Sequence, residues 1–230
     1  MEEEFLVVIN YSRFARLLER AKDLGTDAGA KASVKRCWVD VLSADAEAFL
    51  VANKAMVGAE TRRTKERREA GEALDKLDQP YREARAVCLA HAPDQVLPET
   101  LKAAPTDTDK KDAILTLVDI LDDDPQASWA KDVLEGPFGL NAAKVVTELD
   151  EARAADGQFA AAQSARATAF GPAYEKYVRF KNVVRQAHGA SSYEYRRIHL
   201  RGNGQLAVEE DGDDKGEPGK PAEPGQPAAS

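Results

Sequence analysis

The chain has 230 residues, of which 43% are hydrophobic, 31% are charged and only 7% are aromatic. A chain of this length can bury a sizeable core, and a highly charged composition rich in Ala, Leu and Val is typical of long exposed helices. The formal charge is −8, but Gln205–Ser230 alone holds seven acidic residues against two lysines. The rest is therefore nearly neutral, which argues against bulk attraction to nucleic acid or anionic membranes.

The two cysteines, Cys37 and Cys88, are too few for a disulfide framework and lack the CxxC spacing of zinc and redox sites. The start Met1–Glu4 is acidic where a signal peptide would be basic. No stretch approaches the roughly 20 apolar residues of a membrane span. We therefore expect reduced cysteines, a cytoplasmic location and no membrane association.

The first predicted element is a helix from about Phe5 to Leu24 that stops at Gly25, although Val7–Ile9 could instead start extended. Its evidence is near-helical spacing of the apolar residues Phe5, Val8, Ile9, Phe14, Leu17, Leu18, Ala21 and Leu24.

A seven-residue repeat runs unbroken from Leu42 to His91 and predicts one helix of roughly 70 Å, with a seam of the coiled-coil type. One seam position holds Leu42, Phe49, Met56, Arg63, Ala70, Leu77, Ala84 and His91. The second holds Ala46, Asn53, Glu60, Arg67, Leu74, Tyr81 and Cys88. Both ends are thus apolar and the middle is polar. Pro80 is expected to kink this helix or break it at Gln79, and Gly58 or Gly71 could also hide a turn.

The second half of the chain is predicted to hold two short helices and another long one. A proline-rich loop is predicted over 92–108, and it ends in residues that can cap the next helix. Short helices are predicted around 113–121 and 127–134. Asn141 is the predicted N-cap of the second long helix, which runs to Gly189 with a kink or break at Gly171-Pro172. A last turn begins at Ser191 or Ser192.

These elements predict an all-α, antiparallel bundle of four or five helices, with two long kinked helices and short connecting helices. We assign residues 1–203 to one helical domain. Residues 204–230 are rich in Gly, Pro and acidic side chains and are expected to form a disordered tail.

Antiparallel pairing of the long helices would place Leu42 near His188 and Arg67 beside Gln163 or Arg166, with His91 near Ala142. The polar middle could then form a ligand pocket, or fix the pairing of the helices as polar seam residues do. The interpretation we favour is plain exposure to water where the bundle thins to two helices.

The strongest basic cluster lies in the polar middle and could contact another molecule. It consists of Arg62, Arg63, Lys65, Arg67 and Arg68. Glu60, Glu66 and Glu69 are interleaved with it and no aromatic side chain is near, so ion pairing on a solvated helix is favoured over binding of phosphates or bases.

No metal, cofactor or catalytic residue is predicted. His91, His188 and His199 have no HxxxH or ExxH spacing, and the first two should lie at opposite ends of the bundle. Asp107, Asp109 and Asp112 lack the glycine and the terminal glutamate of an EF-hand, and helix capping explains them. No P-loop, GxGxxG, nucleophile elbow, kinase or zincin motif is present.

The sequence near residue 190 resembles the C-terminal end of a broad group of uncharacterised bacterial helical-bundle proteins. It reads Val183–Gly189 and then Ser192–Ile198, which is a long helix, a glycine, a serine cap and a Tyr-rich last turn. The resemblance implies a bacterial helical bundle and no functional residues.

The leading hypothesis is therefore a non-enzymatic structural or protein-interaction protein that pairs with itself or with another protein. Two alternatives remain. One is a small-molecule or metal-binding enzyme that uses the bundle interior, and the other is a nucleic-acid-associated protein that uses the basic cluster.

Overall fold

The computed structural model describes residues 10–123 and 127–199, and every regular element in these ranges is helical. The predicted all-α fold is therefore confirmed. Among the described residues, no helix combines the length and the apolar composition that spanning a membrane requires. The predictions for Phe5–Ile9 and for the tail 204–230 fall outside the described residues.

Helix α1 spans Tyr11–Thr26, and the Asn10 side chain caps it by accepting a hydrogen bond from the Ser12 N–H at 2.9 Å. Helix α2 (Ala32–Cys37) continues through a π-helical turn, Trp38–Leu42, directly into α3. The sequence analysis missed α2 and the π-helical turn, because six residues with a single buried side chain carry too weak a periodic pattern.

Helix α3 spans Ser43–His91 without interruption, so the single long helix predicted from the seven-residue repeat is confirmed. Pro80 lies inside the helix and does not end it. Most seam positions towards both helix ends are buried, although His91 at the last position is exposed, and Arg63 and Arg67 in the middle are exposed.

Helix α6 spans Pro137–His188, and Pro172 lies inside it without breaking it. The predicted N-cap at Asn141 is wrong: Gly136 occupies that position, and the Asn141 side chain donates a hydrogen bond to the Pro137 carbonyl at 2.8 Å. A proline at the first helical position lacks the N–H that would be unpaired there, which favours the earlier start. Gly189 ends the helix with φ of 94°, as predicted.

Shorter elements join and follow the long helices. A 3₁₀ turn at Leu101–Ala103 precedes α4 (Asp107–Asp123), and α5 covers Ser128–Leu134. Helix α7 (Tyr193–Arg197) is capped by Ser192, one of the two serines predicted for that role.

Two separate hydrophobic cores form at opposite ends of the α3–α6 pair. The first core joins α1, α2 and α7 to the start of α3 and the end of α6, and includes Phe14, Leu17, Leu18, Trp38, Leu42, Phe49, Tyr177, Phe180 and Ile198. The second core joins α4 and α5 to the opposite halves of the long helices, and includes Leu77, Tyr81, Cys88, Leu101, Ile114, Leu117, Leu121, Phe138, Val145 and Leu149.

The long helices pair antiparallel with a different offset from the predicted one. Arg67 binds Asp156 and not Gln163 or Arg166, a shift of seven residues or about two turns. At the far end His91 stacks on Trp129 of α5. The cause is that α5 packs against the end of α3, so the first turn of α6 meets α3 further back, where Phe138 lies beside Tyr81.

Candidate functional site

Between the two cores lies a segment that we call the stalk, residues 51–69 of α3 and 153–168 of α6. Most of its side chains are exposed or half-buried. The buried ones are Met56, Glu66, Ala70 at its border, and Ala155. The structure therefore agrees with the interpretation that the polar middle is largely exposed to water.

Asp156 joins the two helices of the stalk through a network of ion pairs. Its Oδ1 accepts a hydrogen bond from Arg63 Nε at 2.8 Å, and its Oδ2 pairs with Arg67. Arg67 also reaches Asp107 of α4 at 2.7 Å. The hydrogen bond from Arg67, together with Arg63, holds the pKa of Asp156 below its ordinary value. The Lys110 ammonium and then Arg67 lower the pKa of Asp107.

The other three members of the basic cluster also have acidic partners. Arg62 lies 3.9 Å from Glu66, Lys65 lies 3.2 Å from Glu69, and Arg68 lies 3.8 Å from Glu72. Arg62 also donates to Gln158 across the helix pair at 3.2 Å. Their charge is thus compensated locally, which is the ion-pairing arrangement that the interleaved acids favoured.

Three glutamates converge where the stalk meets the second core. One carboxylate oxygen each of Glu66, Glu148 and Glu151 lies within 4.8 Å of the others. Glu66 is buried, Glu148 is half-buried and Glu151 is exposed. Sequence reasoning missed this group because Glu66 is distant in the chain. The only local signal was the spacing of Glu148 and Glu151, which puts them on one helix face.

A surface groove borders this group at Glu148. Its volume is about 360 Å³, and its lining is Glu69, Glu72, Ala73, Lys76, Asn141, Lys144, Val145 and Glu148. Small-molecule pockets are mostly lined by apolar and aromatic side chains. A lining so rich in charge is better suited to ions and water.

His91, His188 and Asp109 make structural contacts. His91 and His188 lie at opposite ends, as predicted, where His91 stacks on Trp129 and His188 lies 3.8 Å from Glu194. Asp109 Oδ2 accepts the Thr106 N–H at 3.0 Å, and Thr106 Oγ1 accepts the Asp109 N–H at 3.1 Å. This reciprocal pair caps α4, in agreement with the predicted capping role.

Replacing Asp156 with Asn is expected to lower the free energy of unfolding near neutral pH by about 1 kcal/mol or less, because these ion pairs are partly exposed. A carboxylate with a lowered pKa stabilises the fold above its ordinary pKa and loses this effect as the pH falls through the lowered value. The difference in free energy of unfolding between the native chain and Asp156→Asn should therefore shrink below about pH 4. Urea unfolding at a series of pH values measures it.

The matched control is Asp119→Asn, because Asp119 is exposed on α4 and forms no ion pair within the described ranges. This variant should show no comparable deficit at neutral pH. An Asp156→Asn deficit that stays constant into acid would contradict the role assigned to the ion pairs.

No protein-family model, no curated protein and no solved structure matches the chain. The functional conclusion therefore depends on the residues and geometry of the chain itself.

Proposed function

We propose that the protein is a non-enzymatic structural protein, an elongated spacer that self-associates through its stalk. The observation that carries the proposal is the sharing of one helix pair by two separate cores. Helices of 49 and 52 residues would hold the two ends tens of ångströms apart at 1.5 Å per residue. Such a two-ended shape suits a connecting role.

A second copy of the chain is the partner that fits the stalk. Val51 and Val57 of α3 are 63% and 50% exposed in the stalk, which lies between the two regions where shorter helices complete the cores. Small exposed residues on α6, including Ala160, Ala161 and Ala165, would let another helix approach closely. Two antiparallel helix pairs that pack together make a four-helix bundle. A two-fold axis would relate the two copies and give a closed dimer.

The surface chemistry supports this proposal over the two alternatives. The basic side chains of the stalk already have acidic partners, which weakens the case for phosphate binding. The groove beside the stalk is lined mainly by charged and polar groups, unlike a pocket for an organic substrate.

Size-exclusion chromatography with light scattering tests the proposal on the full chain over a wide concentration range. We expect a dimer whose population falls on dilution. The double variant Val51→Asp/Val57→Asp should shift the protein to monomer, because two charges would be buried unpaired in the interface.

The matched control is Val96→Asp, because Val96 is 96% exposed in the loop after α3, outside the stalk. It should leave the dimer intact. A monomer at every concentration, or equal loss of the dimer in the control, would overturn self-association through the stalk.

A further inference from the structure

The three converging glutamates have little charge compensation of their own. Among the described residues, neither Glu148 nor Glu151 forms an ion pair within 4.0 Å. Glu66 has weak ones, since Lys65 Nζ lies at 3.5 Å and Arg62 Nε at 3.9 Å. Carboxylate oxygens held within 4.8 Å of one another repel unless a positive charge lies between them.

Glu66 supplies a second observation. Its side chain is only 8% exposed, and its Oε2 is buried without a hydrogen-bond partner among the described residues. Both neighbouring cations approach the other oxygen, Oε1. A buried carboxylate oxygen normally has a partner, so an unpaired one on a glutamate whose carboxylate group converges with two others points to a bound cation.

We propose that Glu66, Glu148 and Glu151 form a binding site for a hard divalent cation, with Ca²⁺ preferred over Mg²⁺. A set of carboxylate ligands without nitrogen or sulfur selects hard cations. Ca²⁺ takes roughly six to eight oxygen ligands in a flexible arrangement at about 2.3–2.6 Å. Mg²⁺ requires a stricter octahedron at about 2.0–2.1 Å and usually takes only one or two carboxylates, so three carboxylates from two helices favour Ca²⁺.

The site is partly open to solvent, so water can supply the remaining ligands of the cation. Glu66 comes from α3 and the other two ligands from one face of α6, and the charged groove borders them at Glu148. A cation bound here links the two long helices at the border between the stalk and the second core. Binding therefore stabilises the native pairing of α3 with α6.

Isothermal titration calorimetry on the full chain, stripped of metal with a chelator, tests the site with Ca²⁺ and Mg²⁺ as separate probes. We expect saturable binding of one Ca²⁺ per chain, weaker binding of Mg²⁺, and a rise in melting temperature with Ca²⁺. Glu66→Gln, Glu148→Gln and Glu151→Gln should each weaken Ca²⁺ binding by about tenfold or more, since affinity follows the number of charged ligands.

Glu175→Gln is the matched control, because Glu175 is 66% exposed on α6, pairs with Arg179, and lies outside both the three ligands and the groove. It should bind Ca²⁺ like the native chain. Glu148 and Glu151 are less buried than Glu66, so their replacement by Gln should leave the fold intact. Circular dichroism of these two variants shows whether weaker Ca²⁺ binding comes from the loss of a ligand or from unfolding. Absence of saturable binding, undiminished binding in all three ligand variants, or an equal loss in Glu175→Gln would overturn the site.

Discussion

Replacing Phe14 with Ala is expected to lower the free energy of unfolding by about 3–5 kcal/mol, the range for truncating a fully buried aromatic side chain. Phe14 has no exposed surface. Its ring makes edge contacts with Phe49 at 5.0 Å, Phe170 at 5.1 Å and Tyr177 at 5.5 Å between centroids. The substitution removes all three contacts and leaves a cavity where α1 meets both long helices. Urea unfolding measures the loss.

The damage should be local, because the two cores share α3 and α6 and no other described helix. Hydrogen exchange should accelerate in α1, α2 and α7 and stay close to native in α4 and α5. Leu140→Ala is the control, since Leu140 is 74% exposed and its truncation should cost little. Equal loss of protection in α4 and α5 would show that the cores do not behave as separate units.

Replacing Gly139 with Ala is expected to be strongly destabilising, by about 1–3 kcal/mol or more. A Cβ atom at this position would lie 2.1 Å from the Leu134 carbonyl oxygen and 2.7 Å from its Cα. Both are backbone atoms, so no side-chain rotation relieves the contact, and the start of α6 must move away from α5. Thermal unfolding followed by circular dichroism measures the effect.

Gly157→Ala is the matched control, because it makes the same change inside the same helix. A Cβ at Gly157 meets nothing within 4 Å. Alanine at an exposed helical position is better than glycine by about 0.5–1 kcal/mol, so this variant should be slightly more stable than the native chain. If the two variants had equal stability, the close packing of α5 on α6 would be contradicted.

The seven-residue repeat predicted α3 as one long helix and favoured exposure of its polar middle. Side chains seven residues apart share one helix face, so apolar residues at both ends and polar ones between them indicate where a helix is covered by neighbours. The end of α6 at His188 and the start of α7 at Tyr193 were also predictable, because Gly189 and Ser192 act through local backbone chemistry.

Asn141 shows the limit of such local signals. A residue that is a good N-cap in isolation became an internal helical residue, because Gly136-Pro137 starts the same helix earlier. The π-helical turn at Trp38–Leu42 was also not predicted, and Trp38 within it packs against Phe180 of α6.

The sequence by itself therefore determined the two long helices, the caps at Gly189 and Ser192, and the polar middle, because each depends on residues close together in the chain. The tertiary structure decided the offset between α3 and α6 and the convergence of Glu66 with Glu148 and Glu151. A repeating apolar pattern buries similar surface at several offsets, so it cannot select one. The packing of α5 against the end of α3, together with the aromatic contacts of Trp38 with Phe180 and of Tyr81 with Phe138, makes that selection.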